Sequence, residues 1–440
     1  MTERLTLSFS TLLLAAIALV PIAAMLSETV TADGAFNLRA YHLLLTSEGK
    51  LILLMGRSLQ LALLTASIAT LIGVPLGILL GKTDLPLRGS LTLLLTAPLL
   101  IPPYVLAVAW FSILGRTGVF GGMLPDAWSQ KISSEFFGLW GCTFMLASAF
   151  MPIAMLLTIA FLKTVNPRLE NAARLVSGWL SVLFRITLPL VLPAIAFAAV
   201  LIFLLSLGEI GVPMYLRFPV YPTEILTQFA AFYDFRAATV AAVPLLVVTL
   251  VILGLQAGLH QQVLQLGRRT PSDETAQISL GPWRFPLFAL VVAFAIIVVA
   301  SPLGTLVAQS WSLAIYQDAL KRAGDSVLRS LAFAAAGATV LAVLGFFWGY
   351  LTERRTLSFW WTNEWLAFLL FALPGSVLGI GLISVWNTAA TNLIYASPLI
   401  LILGYLTLSC PCASCRLRSL PFRDHLRKLH GSAAPVGSLH

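Results

Sequence analysis

Charge is what this sequence has least of. Only 10% of its 440 residues are Asp, Glu, Lys or Arg, where an ordinary soluble domain carries about a quarter. Four cysteines and five histidines are present. Cys142 stands alone in an apolar run and reads as packing. Cys410, Cys412 and Cys415 lie near His425 and His430 at spacings zinc could use. They fall in a closing stretch unlike the rest of the chain, so no metal site is expected. A phosphate-binding loop is also missing. Gly77-Ile-Leu-Leu-Gly81-Lys82-Thr83 is one residue short of that pattern, and it ends a helix instead of opening one after a strand. No His/Asp/Glu cluster suggests catalysis. These absences exclude an enzyme and leave no cofactor to be bound by this chain.

Long apolar runs take the place of all this. The chain is 59% hydrophobic, with a mean hydropathy of +0.93. Runs long enough to cross a bilayer recur along it. The pattern predicts an all-α polytopic membrane protein with about ten transmembrane helices, at 6–27, 58–81, 91–113, 138–162, 188–207, 238–258, 285–307, 329–351, 362–385 and 396–412. With the N-terminus inside, the net charge of +9 falls almost wholly on the cytoplasmic side. That asymmetry sets orientation in a bilayer and argues against a nucleic-acid partner. The first run could be a cleaved signal peptide, but the charge distribution favours a retained helix.

Several stretches have a local physical reading. Gly73, Gly77 and Gly81 recur every four residues, a small-residue ridge that lets helices approach closely in lipid. Ala97–Tyr104 is broken by Pro98, Pro102 and Pro103, either as a packing kink or as a bend near a pathway. Glu209, between Gly208 and Ile210-Gly211, is a carboxylate at membrane depth, lining a path or sitting at the outer rim. Arg217, Tyr221, Glu224, Tyr233 and Asp234 mark an aromatic, mixed-charge outer segment. It suits an interfacial belt or the docking of an external soluble partner.

The most polar and best patterned segment between two spans is Leu169–Pro189. It reads as a short helix, a break at Ser177-Gly178, and a helix entering the bilayer with proline near its first turn. Leu169, Ala172, Ala173 and Val176 are spaced to form one small apolar face. Glu170-Asn171-Ala172-Ala173-Arg174, then Ser177-Gly178, then Ile186-Thr187-Leu188-Pro189 resembles the "EAA" loop of binding-protein-dependent ABC importer permeases. Asn171 stands where the family's main Glu would align, and Ser177 takes a Gly place. In that family the loop is a coupling helix that docks into a cleft on a cytoplasmic ATPase. The resemblance therefore implies separate ATPase subunits (two of them, carrying the ATP), an external substrate-binding protein, and a bacterial inner-membrane location.

The two halves of the chain also match each other. Arg57-Ser58-Leu59 aligns with Arg329-Ser330-Leu331, Gly73 and Gly77 with Gly345 and Gly349, Pro102 with Pro374, and Val105-Leu106 with Val377-Leu378, all at one offset. Such tandem permease repeats resemble the fused form of the family, closest to ferric-iron permeases, with thiamine permeases similar. The expected organisation is an N-terminal helix and external segment (1–50), a first repeat with its coupling loop (51–258), a cytoplasmic linker (259–284), an incomplete second repeat (285–412) and an atypical tail (413–440). That tail, which lacks the second coupling loop the resemblance implies, reads as truncated or frameshifted. The expected function is the permease subunit of an importer, with ferric iron as the substrate. An ion-coupled secondary transporter using Glu209 is the alternative.

Overall fold

The computed structural model describes residues 49–115, 136–256, 277–353 and 373–407, with a helical stretch at 19–27 and short pieces elsewhere. Two compact units form, residues 32–322, and residues 1–31 together with 323–440. Among the described residues the chain is helical, apart from two two-residue strands, Thr31–Ala32 and Ala35–Phe36, and one isolated bridge.

The first unit runs α1 (Lys50–Lys82), α2 (Arg88–Thr96), α3 (Pro103–Leu114), α4 (Leu139–Leu162), α5 (Pro167–Arg174), α6 (Trp179–Leu207), α7 (Gly211–Tyr215), α8 (Tyr221–Ala230), α9 (Phe235–Leu255), α10 (Gly281–Gln309) and α11 (Leu313–Ala323). The second holds α12 (Ser326–Glu353), α13 (Gly375–Trp386) and α14 (Asn392–Tyr395).

Six helices among the described residues are long and apolar enough to cross a membrane, or seven if one bent pair counts as a span. The all-α membrane class is as expected; the count of ten is not confirmed among the described residues. The expected spans at 6–27, 362–385 and 396–412 fall wholly or partly outside the described residues. The span at 91–113 is not straight. Its two pieces, Arg88–Leu100 and Pro103–Leu114, meet at 102°. Prolines explain the corner. A residue before proline is pushed out of the helical region, and Ile101 and Pro102 are extended, with ψ of 132° and 131°. Pro103 then starts α3 at a position where its missing N–H costs nothing.

Prolines also shape α6 and α10. Each contains a five-residue π-turn, Leu183–Thr187 and Ile296–Ala300, two residues before Pro189 and Pro302. A proline inside a helix clashes with the carbonyl four residues earlier, and a π-turn makes room there.

The packing of the first unit is set by the glycine ridge. A Cβ on Gly73 would lie 2.7 Å from the Met151 carbonyl oxygen, and one on Gly77 would lie 2.7 Å from the Thr158 Cβ and 2.8 Å from the Met155 carbonyl oxygen. The backbones of α1 and α4 therefore touch along this line. Around it close Leu61, Ala66, Ala69, Met145, Leu146, Met151 and Met155, with Ile202 of α6 and Val291, Ala295 and Val299 of α10 in the same core. The helix α10 thus packs within the same unit as α1 and α4.

The aligned proline positions fold alike. Pro102 and Pro374 each precede an apolar helix of 12 residues, with φ/ψ of −53°/131° and −57°/135°. Each carbonyl accepts a hydrogen bond from the valine three residues on, at 2.9 Å for Val105 and 3.0 Å for Val377.

Gly77→Val is expected to cost about 1–3 kcal/mol, because the backbone of α4 must move to admit it. Gly89→Ala, where a Cβ meets nothing within 4 Å, is the control. Thermal unfolding in detergent reads both, and equal transitions for the two variants would refute the close helix contact.

Candidate functional site

The loop after α4 begins with a helix start that the sequence specifies well. Asn166 caps α5, its side-chain oxygen accepting the Arg168 N–H at 2.9 Å, and Pro167 occupies the first helical position. Glu170 lies in the first turn and Arg174 in the last, each at the end where the helix dipole favours its charge. The helix stops at Arg174, whose guanidinium sits 4.0 Å from the centre of the Trp179 ring.

Glu170 is fully buried, at 0% exposure. One carboxylate oxygen, Oε2, accepts from the Lys82 ammonium, which is itself 1% exposed at the last residue of α1. The other, Oε1, accepts the Thr187 hydroxyl at 2.7 Å. One carboxylate thus ties α5 to the end of α1 and to the π-turn of α6.

The other residues singled out by sequence lie around this anchor. Asn171, Ala172, Arg174, Ser177, Gly178 and Pro189 are exposed, while Ala173, Ile186 and Leu188 are half-buried. The proposed single face of Leu169, Ala172, Ala173 and Val176 does not form, because α5 ends before Val176. The break spans Leu175–Gly178, and Pro189 lies nearly three turns into α6, deeper than the expected place near its first turn. What the loop presents is a different apolar cluster. Leu175 and Val176 are 88% and 89% exposed, with Leu169 and Leu180 beside them also exposed. Gly178 has φ −68° and ψ 161°, which any residue adopts, and a Cβ there meets nothing within 4 Å. The fold itself does not require a glycine at that place. Lys82 and Thr187 are the members that sequence reading missed as site residues. The signal available was Lys82 standing at the end of an apolar run, where only its failure to reach solvent would have marked it.

At the other end of α1, the outer segment is fixed by polar contacts. Ser58 Oγ accepts the Tyr221 N–H at 2.7 Å and donates to the Leu54 carbonyl at 3.0 Å. Glu224 pairs with Lys50 at 2.9 Å and accepts from the Gln228 amide at 3.0 Å. Tyr221 is buried, and burial pushes its phenol well above the usual range. Arg217 and Tyr233 adopt left-handed backbone, at φ 54° in each case, and both are exposed. Asp234 caps α9 by accepting the Ala237 N–H at 2.8 Å. Arg217 lines an open cavity of about 540 Å³ with Met214, Phe218, Thr223 and Ala231. Glu209 lies at the start of α7, whose Met214 lines that cavity. Its Oε1 accepts the N–H of Gly211 at 2.9 Å and of Val212 at 3.4 Å, starting α7.

Ser58→Ala should destabilise the chain by about 1–3 kcal/mol, since it strands the buried Tyr221 N–H. Arg217→Ala should leave stability unchanged within about 0.5 kcal/mol. Denaturant unfolding of the two purified variants checks the contrast.

Residues 73–265 match the family described as the inner membrane component of binding-protein-dependent transport systems. The chain is 26% identical over 311 residues to a ferric transport system permease protein of Actinobacillus pleuropneumoniae, an alignment covering 66% of this chain and 45% of that protein. It is 35% identical over 162 residues to a molybdenum transport system permease protein of Escherichia coli, covering 35% of this chain and 69% of that protein. A probable sulfate transport system permease protein of a Helicosporidium species is 27% identical over 215 residues, covering 47% of this chain and 77% of that one. The chain spans about half the length of the ferric relatives it matches. With its apolar helices and the helix–break–helix at 167–207, this chain belongs to the family of binding-protein-dependent transport system inner membrane components, multi-pass proteins of the inner membrane.

Proposed function

We propose that the chain is the membrane-spanning permease subunit of an ATP-driven importer, and that α5 with residues 175–180 is where its ATPase docks. The observation that carries this is the inversion at the loop. The charged group Glu170 is buried, while Leu175, Val176 and Leu180 are left uncovered. Large apolar side chains left uncovered close together on a polar loop suit a surface that a partner covers. Two ATPase subunits would hold the ATP, and this chain binds no cofactor. ATP moves the transporter only by binding one arrangement better than another, so the ATP-bound pair must favour the arrangement in which the docking helices are closest.

An external binding protein would hand over substrate at the outer segment around Arg217, Tyr221, Glu224, Tyr233 and Asp234. Ferric iron is the substrate best supported, because ferric permeases align over the longest stretch among the relatives described; molybdenum and sulfate permeases give the competing classes. Ion-coupled transport through Glu209 has less support, since a carboxylate oxygen that would bind the ion is engaged by two backbone N–H groups.

Leu175→Asp should abolish co-purification of an ATPase while leaving the level of chain in the membrane unchanged, because an unpaired carboxylate cannot enter an apolar cleft without loss. Undiminished co-purification would remove the docking assignment. Uptake of radiolabelled ferric iron by cells expressing the complete system, competed with molybdate and sulfate, tests the substrate. Iron uptake insensitive to both oxyanions is expected, and uptake of an oxyanion in place of iron would replace the ferric assignment.

A further inference from the structure

Three segments meet at the Lys82 end of α1. The first is α5, through the Lys82–Glu170 ion pair, and the second is the π-turn of α6, through Thr187. The third is the stretch that leads into α10. The Ile278 N–H donates to the Lys82 carbonyl at 2.8 Å, and the Ile278 carbonyl accepts the Asp84 N–H at 3.2 Å, as a short parallel bridge. The Asp84 side chain then accepts the Leu280 N–H at 3.0 Å, one residue before α10 begins.

A lysine at a helix end near a membrane surface ordinarily extends its ammonium to water. Lys82 does not. It gives up solvent to hold one carboxylate, and that carboxylate belongs to the helix carrying the uncovered apolar cluster. Nothing in the packing of α1 against α4 needs a charge at this place, since the glycine ridge already fixes that contact.

We infer that Lys82 is the positioning residue of the docking helix: its ammonium locks α5 to α1, and the clip of residues 82–84 on 278–280 makes the same corner the origin of α10. A push on α5 is then delivered to α1, α6 and α10 together. The consequence for transport rests on the docking role proposed above; the mechanical linkage itself does not.

Distances between spin labels read the linkage directly. Labels are placed at Leu175 and Ser90, and in a second sample at Leu175 and Phe285, all exposed positions, in a chain freed of its native cysteines. Both distance distributions should be narrow. Lys82→Met should broaden both about twofold, since α5 loses its buried partner. Asp84→Ala should broaden only the Leu175–Phe285 distance. A folded Lys82→Met chain with unchanged widths would overturn the inference, as would an unchanged Leu175–Phe285 width in Asp84→Ala. Should Lys82→Met fail to fold, the paired apolar replacement Lys82→Met with Glu170→Leu decides, since it leaves no stranded charge: broadened widths support the linkage and parental ones refute it. These measurements need no ATPase, so a failure of the docking assignment leaves them as they are. Loss of ATPase capture in Lys82→Met with narrow widths retained would refute the positioning role alone.

Discussion

The Lys82–Glu170 pair is the interaction on which the loop depends. Burying two opposite charges is expensive, and their attraction repays the loss only with good geometry and satisfied oxygens. Here both oxygens of Glu170 are engaged, one by the ammonium and one by the Thr187 hydroxyl. Two helix dipoles add to the same balance: Lys82 ends α1 and Glu170 lies in the first turn of α5, so each charge sits at the favourable pole of its own helix. Deleting either member would leave the other charge stranded in the interior, at a cost of about 3–5 kcal/mol. The pair is therefore better seen as a constraint that fixes one geometry than as a surplus of stability.

That constraint extends across the bilayer through α1. With 33 residues the helix is about 50 Å long, more than the hydrocarbon thickness of about 30 Å, so both of its ends reach the polar regions. One end holds the loop of residues 167–180 through Lys82; the other holds the segment around Tyr221 through Ser58 to Tyr221 and Lys50 to Glu224. Between them the glycine ridge presses α1 against α4 with no side chain to act as a cushion. Contacts between backbones move together or not at all. The two candidate sites consequently share one stiff element instead of being joined by a path of adjustable side chains.

How much of this could be read beforehand follows from the range of each interaction. The glycine ridge was legible because its partners repeat every four residues on one helix, and periodicity needs no tertiary knowledge. The short helix and the break after it are local chemistry as well, whereas the Asn166-Pro167 start was passed over. The corner at Pro98–Pro103 was legible as a disruption, though not as a 102° turn, since proline forbids a straight helix without choosing the new direction. Lys82 was not legible. Its partner is 88 residues away, and within the sequence it completes a false phosphate-loop pattern. Asn171 and Glu170 likewise could not be told apart in importance until one was seen inside and the other outside. The same limit applies to Glu209, whose use as a helix-starting acceptor depends on the local path of Gly211 and Val212.

The design of α5 explains why a polar anchor is needed at all. Its eight residues are fewer than the roughly 12–15 at which an isolated helix becomes even marginal in water. Most short helices in folded proteins are held by an apolar face turned inward. In α5 that resource is spent outward, with Leu169 exposed on the helix and Leu175 and Val176 exposed just past its end. Burial cannot hold a helix whose apolar groups face away from the core. What remains is the Asn166 cap, the fixed backbone of Pro167, the Arg174–Trp179 stack and the ion pair, all polar or conformational. An apolar attachment tolerates sliding, whereas a carboxylate shared between an ammonium and a hydroxyl specifies one position. A short helix whose apolar groups are turned outward is held by the second kind of attachment and not by the first.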